Sequence, residues 1–446
     1  MTIRKLTAVL AAATLVASGL AAAGTTTASA EPGPRDRPGV RERVARQTLP
    51  PGDGFGSLGA GTTGGAAADR SAVVTVSTRD ELAAAVAGNE PKIVYVDGAV
   101  DANTDASGRP LSCADYARDG YTLERYLAAY DPEVWGREEE PSGPVEDARR
   151  ASQQAQAARI TIRVGSNTTL LGLPGSSITG ASLRLDGVSN VIVRGLTLTD
   201  AADCFPSWDP TDGDTGNWNS EYDAVSLTGA TNVWFDHNDL SDGDNPDSAQ
   251  PEYFGRPYQV HDGLLDITNA SDLVTVSWNR LHDHDKTMLI GSSDSRTTDR
   301  GKLRVTIHHN EFRDLGQRVP RVRFGLVDVY DNHYVQTPGS SAGYVYSWGV
   351  GVESHLVAER NYLSLPPDIA LGSVVGRYNG TRMSEDGNVV NGRRVDLLAA
   401  HNAVSDPDIA EVPAPADLPR RTVHPVQAVA ALVAAHAGPE GLRHHR

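Results

Sequence analysis

Acidic side chains in the middle of the chain have a spacing that could serve a metal site. Asp262 and Asp266 are four residues apart, and Glu221 and Asp223 lie one repeat unit earlier. In an extended segment an even spacing places side chains on one side, so carboxylates from neighbouring strands can converge. Three or four such oxygens bind a hard cation, and calcium tolerates their irregular geometry best. The pattern D-x-x-x-D is common, however, so on the residues alone solvated loop acids are the simpler interpretation.

Basic side chains follow these acids along the chain. They are Lys286, Arg318, Arg321 and Arg323. The arginine fork matches a carboxylate through two hydrogen bonds, so these bases with calcium would suit an anionic polymer of regular carboxylates, such as a polyuronate. Internal ion pairs between the bases and the acids explain the same residues equally well.

A repeat unit positions both groups. Asparagines recur at spacings of 41, 31, 22, 29 and 41 residues, namely Asn238, Asn279, Asn310, Asn332, Asn361 and Asn402. Apolar residues stand five and three positions before each asparagine and two positions after it, which is strand periodicity around a polar turn. A strand–turn–strand unit with variable insertions predicts a parallel β-helix. A β-sandwich is the alternative, but a sandwich does not demand a fixed asparagine register.

The corner of this repeat carries further polar residues. Stacked asparagine side chains could hydrogen-bond from coil to coil, as amide ladders do in cross-β structures. His237, His309 and His401 each stand one residue before an asparagine, and this regularity favours a structural role over catalysis. The pair His308-His309 lacks the spacing of a zinc-ligand motif.

Composition excludes several classes of function. The formal charge of the 446 residues is −17, which argues against a general nucleic-acid binder and against binding to an anionic membrane. The 44 glycines and 26 prolines, with only six phenylalanines, suit a turn-rich all-β protein. No G-x-S-x-G or P-loop pattern supports a hydrolase triad or nucleotide use.

The N-terminal 30 residues have the pattern of a secretory signal peptide. Arg4 and Lys5 precede an apolar run, and Ala28-Ser29-Ala30 predicts cleavage after residue 30. An N-terminal membrane anchor is the alternative. The pattern predicts an extracellular protein in which Cys113 and Cys204 form one disulfide, with two buried thiols as the alternative.

The remaining chain divides into three segments. Residues 31–71 are predicted to be a flexible leader. Residues 72–405 hold the repeat, and residues 406–446 form a C-terminal extension. Within that extension Val426 to Ala437 has helical character and is predicted to cap an open end of the solenoid.

Four segments, in order, resemble the secreted pectate lyases of polysaccharide lyase family 1. They are Trp234-Phe235-Asp236-His237, with Phe235 where the family has Ile or Val, Asp262-Gly263-Leu264-Leu265-Asp266, Asp283-His284-Asp285-Lys286-Thr287 and Arg318-Val319-Pro320-Arg321-Val322-Arg323. The resemblance extends over residues 72–405. It implies an all-β fold, a right-handed single-stranded parallel β-helix with terminal helices and loop insertions.

The resemblance also implies a reaction, the Ca²⁺-dependent β-elimination of de-esterified polygalacturonate to unsaturated oligogalacturonides. It implies calcium ligands at Asp223, Asp262 and Asp266, with Glu221 as a further acid for additional calcium. It further implies Arg318 as the base and Lys286 and Arg323 as binders of substrate carboxylates. Asp236 and His237 match residues that are mainly structural in the family.

An arginine base has a consequence for pH. Arginine normally stays protonated, with a pKa above about 12, so we predict an alkaline activity optimum. Three rival functions remain open at this stage. They are a pectin lyase acting on methyl-esterified pectin without calcium, a polygalacturonase using paired carboxylates, and a β-helix that binds polyuronate without cleaving it. We expect the protein to be a monomer.

Overall fold

We describe the fold from a computed structural model that covers residues 38–340 and 343–443. The predicted signal peptide, residues 1–30, lies outside these described residues. From Glu42 onward the described chain forms one compact unit. None of its helices within the described ranges is both long and apolar enough to cross a membrane.

Three stacked sheets form the body of this unit, with strands numbered in chain order. Their neighbouring strands are parallel except for the pair Val389–Val390 and Arg393–Arg394, which is antiparallel. The eleven-stranded sheet contains β1 (Val73–Val76), β2 (Lys92–Val96), β5 (Thr168–Gly172), β8 (Ser189–Arg194), β13 (Thr231–Asp236), β18 (Asp272–Ser277), β21 (Val305–His308), β24 (Leu326–Tyr330), β27 (His355–Glu359), β30 (Arg382–Asp386) and β33 (Ala410–Glu411). The eight-stranded sheet contains β29 (Val375–Tyr378), β26 (Trp348–Gly351), β23 (Arg321–Val322), β20 (Leu289–Ile290), β17 (Leu265–Thr268), β12 (Val225–Thr228), β7 (Ser182–Asp186) and β4 (Thr161–Arg163). The ten-stranded sheet contains β3 (Ala99–Asp101), β6 (Ser177–Thr179), β9 (Thr197–Thr199), β14 (Asp239–Ser241), β19 (Arg280–Lys286), β22 (Glu311–Gln317), β25 (His333–Val335), β28 (Tyr362–Ser364), β31 (Val389–Val390) and β32 (Arg393–Arg394).

Two separate hairpins, seven α-helices and six short 3₁₀ helices complete the described elements. The hairpins are β10 (Ser207–Asp209) with β11 (Asn217–Asn219), and β15 (Glu252–Tyr253) with β16 (Arg256–Pro257). The helices are α1 (Pro38–Ala45), α2 (Arg79–Val86), α3 (Cys113–Tyr116), α4 (Leu123–Tyr130), α5 (Pro144–Ile160), α6 (Leu397–Asn402) and α7 (Val426–His436).

Each coil visits the three sheets in turn, so the chain is a right-handed parallel β-helix, as predicted. The strands β12, β13 and β14 make one coil, and β17, β18 and β19 make the next. Val233 pairs with Val274, and Val274 pairs with Val305, so apolar residues of the same register stack inside the coil. These three valines are fully buried, and burying each such side chain contributes about 1.5–3 kcal/mol.

Asparagine side chains form a ladder inside one bend of the coil. Asn279 Nδ2 donates to Asn310 Oδ1 at 3.0 Å, and the same bond recurs from Asn310 to Asn332. The ladder runs from Asn238 to Asn361, which confirms five of the six predicted members. The sixth prediction is wrong, because Asn361 Nδ2 donates to Asn388 at 3.1 Å. Asn402 instead ends α6, where its side chain bonds the backbone of Ile409.

The described part of the predicted flexible leader is packed against the β-helix, which is where the structure differs from that prediction. We call residues 42–72 the N-terminal arm. Gly56 N donates to Thr275 Oγ1 at 3.0 Å, and Gly65 N donates to Thr169 Oγ1 at 2.8 Å, both on the eleven-stranded sheet. A Cβ on Gly65 would lie 1.9 Å from the carbonyl oxygen of Lys92, so the close approach needs glycine. The glycines that suggested flexibility are the residues that allow packing.

The predicted cap at the C-terminal end also differs from the structure. We call residues 412–443 the C-terminal arm. Its helix α7 lies along the side of the β-helix, where Val429 and Val433 pack with Tyr362 of β28. The helix that joins the main core near the last coils is α6, through Leu397 and Leu398.

An aromatic layer covers the loops beside the eight-stranded and ten-stranded sheets. Tyr126 of α4 packs with Trp218, which stacks on Phe254 at 5.5 Å between ring centroids. Cys113 and Cys204 form a disulfide at the edge of this layer, with 5.3 Å between their Cα atoms. The charged and Gln/Ala-rich stretch at 137–157, whose role the sequence leaves open, supplies most of α5 and joins this layer.

Candidate active site

Asp223 and Asp266 lie on the outer side of the eight-stranded sheet, on neighbouring coils. In β17 the side chains of Leu265 and Ile267 point inward, so Asp266 between them points outward. Asp266 pairs with Ser226 of β12, which places Asp223, three residues earlier, level with Gly263. The parallel register therefore brings the two carboxylates to one place.

The two carboxylates converge above Gly263. A Cβ on this glycine would lie 2.6 Å from Asp266 Oδ1 and 2.7 Å from Asp223 Oδ1. The backbone N–H of Gly263 donates to Asp223 Oδ1 at 2.9 Å, and that of Leu289 donates to Asp266 Oδ1 at 2.9 Å. These bonds fix both carboxylates, and the absent side chain leaves them room.

Burial and neighbouring like charges shift the pKa of both acids. Burial, together with the charge of Asp262, raises the pKa of Asp223 to about 7. Burial also raises the pKa of Asp266 well above its ordinary value, helped by the charges of Asp223 and Asp262, whereas the Arg318 charge opposes that rise. Such carboxylates stay ionised at neutral pH when a cation lies between them. Oxygen donors in this arrangement fit a hard cation such as Ca²⁺.

Asp262 and Glu221 make different contacts from those of Asp223 and Asp266. Asp262 Oδ1 forms an ion pair with Lys286 Nζ at 3.0 Å, so the acid and the base predicted for different roles are neighbours. Glu221 is exposed, and its carboxylate makes no hydrogen bond or ion pair with any residue in the described ranges. Asp223, Asp262 and Asp266 therefore act on one another electrostatically, whereas Glu221, two residues before Asp223, is exposed.

Lys286 and Arg318 lie on neighbouring coils at the bend between the ten-stranded and eight-stranded sheets. Lys286 ends β19 and pairs with Gln317, which immediately precedes Arg318. The Arg318 carbonyl accepts from Met288 N at 2.8 Å, which anchors the bend. The two cationic side chains thus project from adjacent positions beside the acids.

The three arginines of the motif differ in their partners. Arg323 Nε donates to Asp294 at 2.5 Å and its Nη1 donates to the Gly291 carbonyl at 2.8 Å. The side chain of Arg318 makes no hydrogen bond or ion pair with the residues that the structure describes, and its Nε is buried. Arg321 between them lies over the Tyr378 ring, 4.1 Å from the centroid. Arg318 therefore forms no ion pair, unlike Arg323, and lies over no aromatic ring of the described residues, unlike Arg321.

A buried histidine network beneath Asp262 was not predicted as part of the site. His284 Nε2 lies 2.8 Å from the Asp262 carbonyl and its Nδ1 lies 2.6 Å from Asp242. His261 lies between Asp200 and Asp247 at 3.1 Å from each, and these bonds raise its pKa to about 10 against the effect of burial. The acids of the 242–261 insertion were visible in the sequence, but one of their histidine partners, His284, comes from the next coil.

Asp236 and His237 lie elsewhere, on the eleven-stranded sheet. Asp236 is fully buried and forms an ion pair with Arg194 at 2.6 Å. The charges of His237 and Arg194 outweigh burial and hold the pKa of Asp236 at about 2. This placement agrees with a structural role for the Trp234–His237 segment.

Comparison with known families gives one match over most of the chain. The model of the pectate lyase family matches residues 42–125 and 143–438. It includes the N-terminal arm and much of the C-terminal arm, together with all of the site residues described above.

Characterised relatives and solved structures agree with that match. A pectate lyase of Bacillus subtilis (strain 168) is 43% identical over 368 residues, which cover 81% of this chain and 87% of the relative. Pectate lyase E of Dickeya chrysanthemi is 36% identical over 77% of this chain and 76% of its own. The thermostable pectate lyase PL 47 superposes with a TM-score of 0.87 at 42% identity, covering 89% of this chain and 99% of the other. A pectate lyase solved with a bound hexasaccharide gives a TM-score of 0.83 at 40% identity, with the same coverage.

Proposed function

This chain belongs to the pectate lyase family, polysaccharide lyase family 1, and from that premise we propose that it is a Ca²⁺-dependent enzyme cleaving de-esterified polygalacturonate by β-elimination. The products are unsaturated oligogalacturonides. A relative solved with a hexasaccharide supports an oligosaccharide-binding surface in the same fold. We further propose that the protein is exported by its N-terminal signal sequence and acts as an extracellular monomer.

One observation carries the proposal: the converging carboxylates of Asp223 and Asp266 lie near Arg318, an arginine without an ion-pair partner among the described residues. Asp223 and Asp266 approach one point above Gly263, and Asp266 is close enough to Arg318 for its pKa to respond to that charge. A hydrolase would need an acid and a base across the scissile bond, and these acids are instead grouped on one side. The grouping suits a bound cation with a cationic residue opposite.

The calcium ion, when held by Asp223, Asp262 and Asp266, would neutralise a substrate carboxylate and make the adjacent carbon more acidic. Lys286 lies 3.0 Å from Asp262 and can donate to the same substrate carboxylate. Arg323 is held by Asp294 and Gly291, so its remaining nitrogen has a fixed direction in which to meet a neighbouring carboxylate. Substrate uronates would thus be bound by charge at several points.

Arg318 is proposed as the base. It removes the proton from the carbon next to the uronate carboxylate, a double bond forms, and the carbon–oxygen bond to the next sugar breaks. The departing oxygen then takes up a proton. Alkaline pH increases the neutral fraction of any guanidinium, which this role requires. Arg318 is half-buried, and its side chain has no hydrogen bond or ion pair with the described residues, so it is available to the substrate.

The test is a product assay on polygalacturonate at alkaline pH, with calcium and with excess chelator. We expect ultraviolet absorbance from the unsaturated product with calcium, and at least a hundredfold lower rate with chelator. Absorbance that survives chelation would favour a pectin lyase. New reducing ends without absorbance would indicate hydrolysis, and neither product from folded protein would indicate a binding protein.

A further inference from the structure

A cavity of about 370 Å³ lies over the eleven-stranded sheet, away from the sheet that carries the three aspartates. Residues of the N-terminal and C-terminal arms close it over the strand ends. Its lining is rich in imidazole, with His237, His308, His309, His424 and His436. Neutral imidazole is the commonest protein ligand of transition metals, so the cavity has the chemistry of a metal site.

The asparagine ladder creates a column of outward side chains beside this cavity. The residue before each ladder asparagine is left-handed, including His309 with φ of 58° and Asp331 with φ of 51°. His309 follows β21 and Asp331 follows β24, and these strands pair directly. The two side chains therefore stand one strand spacing apart, about 4.8 Å along the stack.

His424 of the C-terminal arm completes a group of three ligand atoms. His309 Nε2 lies 2.8 Å from His424 Nδ1, and Asp331 Oδ2 lies 3.7 Å and 3.6 Å from these two nitrogens. Ligand atoms about 2.0–2.2 Å from a tetrahedral zinc ion lie roughly 3.3–3.5 Å from one another. Two of the three distances are near this range. The third, 2.8 Å between the two nitrogens, reaches this range if the half-buried His424 ring moves by about half an ångström, as an ion entering between the nitrogens would require.

Asp331 supplies an independent sign that a cation belongs here. Its side chain is 0% exposed, and its Oδ1 has no hydrogen-bond partner in the described part of the chain. The backbone N–H of His424 donates to Oδ2 at 2.6 Å, and Arg360 Nε lies 4.0 Å from Oδ1. The nearest arginine is 4.0 Å from this buried carboxylate, and Oδ2 has two imidazole nitrogens at 3.6 and 3.7 Å. A metal ion between Asp331 and the two imidazoles would complete its coordination.

The neighbours of His309 orient its lone pair toward the same point. His309 Nδ1 lies 2.7 Å from His308 Nδ1, and His308 Nε2 lies 3.5 Å from Asp53. If His308 carries its proton on Nε2, toward Asp53, then His309 donates from Nδ1 and presents an unprotonated Nε2. Metal-binding histidines are oriented in this way by a partner on the other ring nitrogen.

We propose that His309, Asp331 and His424 bind one divalent transition-metal ion, for which Zn²⁺ is the probe, and that this ion fastens the C-terminal arm to the β-helix. Two imidazoles and one carboxylate leave a fourth position for water on the cavity side. Nitrogen ligands distinguish this site from the all-oxygen site of the aspartates, which Ca²⁺ suits. The proposal does not depend on the proposed lyase activity.

The test is titration calorimetry with Zn²⁺ on the chelator-treated full chain, without a polyhistidine tag and with Ca²⁺ saturating. The wild type is expected to bind one Zn²⁺ at micromolar affinity or tighter, and its Tm should rise by a few degrees with Zn²⁺. His424→Gln should weaken binding at least tenfold and remove the rise in Tm. The matched control is His436→Gln, which alters the same cavity outside the three ligands and should bind as the wild type does.

Two further measurements keep the proposal falsifiable. Co²⁺ should give the intense visible absorption of a tetrahedral site in the wild type, and Asp331→Asn should lose it while retaining the hydrogen bond from His424. Zn²⁺ binding that is absent in the wild type, or unchanged in His424→Gln, would overturn the proposal. Zn²⁺ binding at the consecutive residues His444 and His445 would be unaffected by His424→Gln and by Asp331→Asn, and that result would also overturn the proposal.

Discussion

Single residues decide whether the acids can meet at the candidate active site. Gly263 is the clearest case, because its missing side chain is the space into which Asp223 and Asp266 reach. Its backbone N–H also holds Asp223 in place. A residue with no reactive group is therefore as important to the site as the carboxylates.

We predict that Gly263→Ala weakens Ca²⁺ binding at least tenfold while the fold is retained. The new Cβ would lie within 2.7 Å of both carboxylate oxygens, so these side chains must move apart. Calcium titration calorimetry measures the loss, with circular dichroism as the control for folding. Unchanged calcium affinity in the alanine variant would mean that the ion binds elsewhere.

At the scale of elements, the asparagine ladder keeps successive coils in register. Asn310 is fully buried and donates to Val276 O and to Asn332, while its Oδ1 accepts from Asn279. The residue after β30 in this register is Asn388, which also bonds Glu385. The ladder therefore ends on a buried carboxyl group.

We predict that Asn310→Ala lowers the free energy of unfolding by about 3 kcal/mol, because buried partners in three coils lose their hydrogen bonds. Asn402→Ala is the matched control. The sequence pattern places Asn402 in the same ladder, whereas the structure gives it only local bonds to Ile409. Denaturant unfolding should give a markedly smaller effect for Asn402→Ala, and equal effects would contradict the observed ladder.

A pH effect is expected at the end of the ladder. Burial raises the pKa of Glu385 from 4.5 to about 7, with nearby Asp396 and Asp386 adding to the rise and Asn388 opposing it. The folded state then binds more protons than the unfolded state between these values, so stability falls as pH rises from about 4.5 to about 7. Glu385→Gln should remove this part of the pH dependence in thermal unfolding curves. A variant whose curve still falls over that interval would refute the assignment to Glu385.

At the scale of the whole molecule, two arms wrap the same side of the β-helix and contact each other. Gly54 N donates to the Pro419 carbonyl at 2.7 Å. Arg420 then reaches the fully buried Asp328 of β24 through Nη2 at 2.5 Å and Nε at 2.9 Å. Chain ends that are distant in sequence thereby stabilise the central coils together.

We predict that Arg420→Met destabilises the protein by about 3–5 kcal/mol, because Asp328 is left as a buried charge without its partner. Adding Asp328→Asn should restore part of the loss. Arg394→Met is the control, since its pair with Asp386 is 70% and 75% exposed and such pairs contribute little. Denaturant unfolding of the wild type and the three variants measures the pattern, and a loss of similar size in the control would argue against the buried pair.

How far the sequence predicts this molecule differs between its parts. The coil register follows from apolar periodicity, so the fold and the grouping of Asp223, Asp262 and Asp266 could be predicted. The packing of the arms could not be predicted. The glycines let the N-terminal arm approach Thr169 and Thr275, but a glycine-rich segment of this kind has the same composition as a flexible linker. The His261 and His284 network was also missed, since hydrogen bonds between coils leave no periodic signal in one chain.

The central claim is that the aspartates bind calcium and that Arg318 performs the chemistry. The most direct measurement is the rate of unsaturated product formation as a function of calcium concentration, for the wild type, Asp266→Asn and Arg318→Ala. We predict that Asp266→Asn shifts the calcium midpoint at least tenfold upward, with activity recovering at high calcium. Arg318→Ala should lose at least a thousandfold in rate at every calcium concentration while calorimetry shows calcium binding retained. Substantial activity in Arg318→Ala, or an unchanged calcium midpoint in Asp266→Asn, would contradict the account.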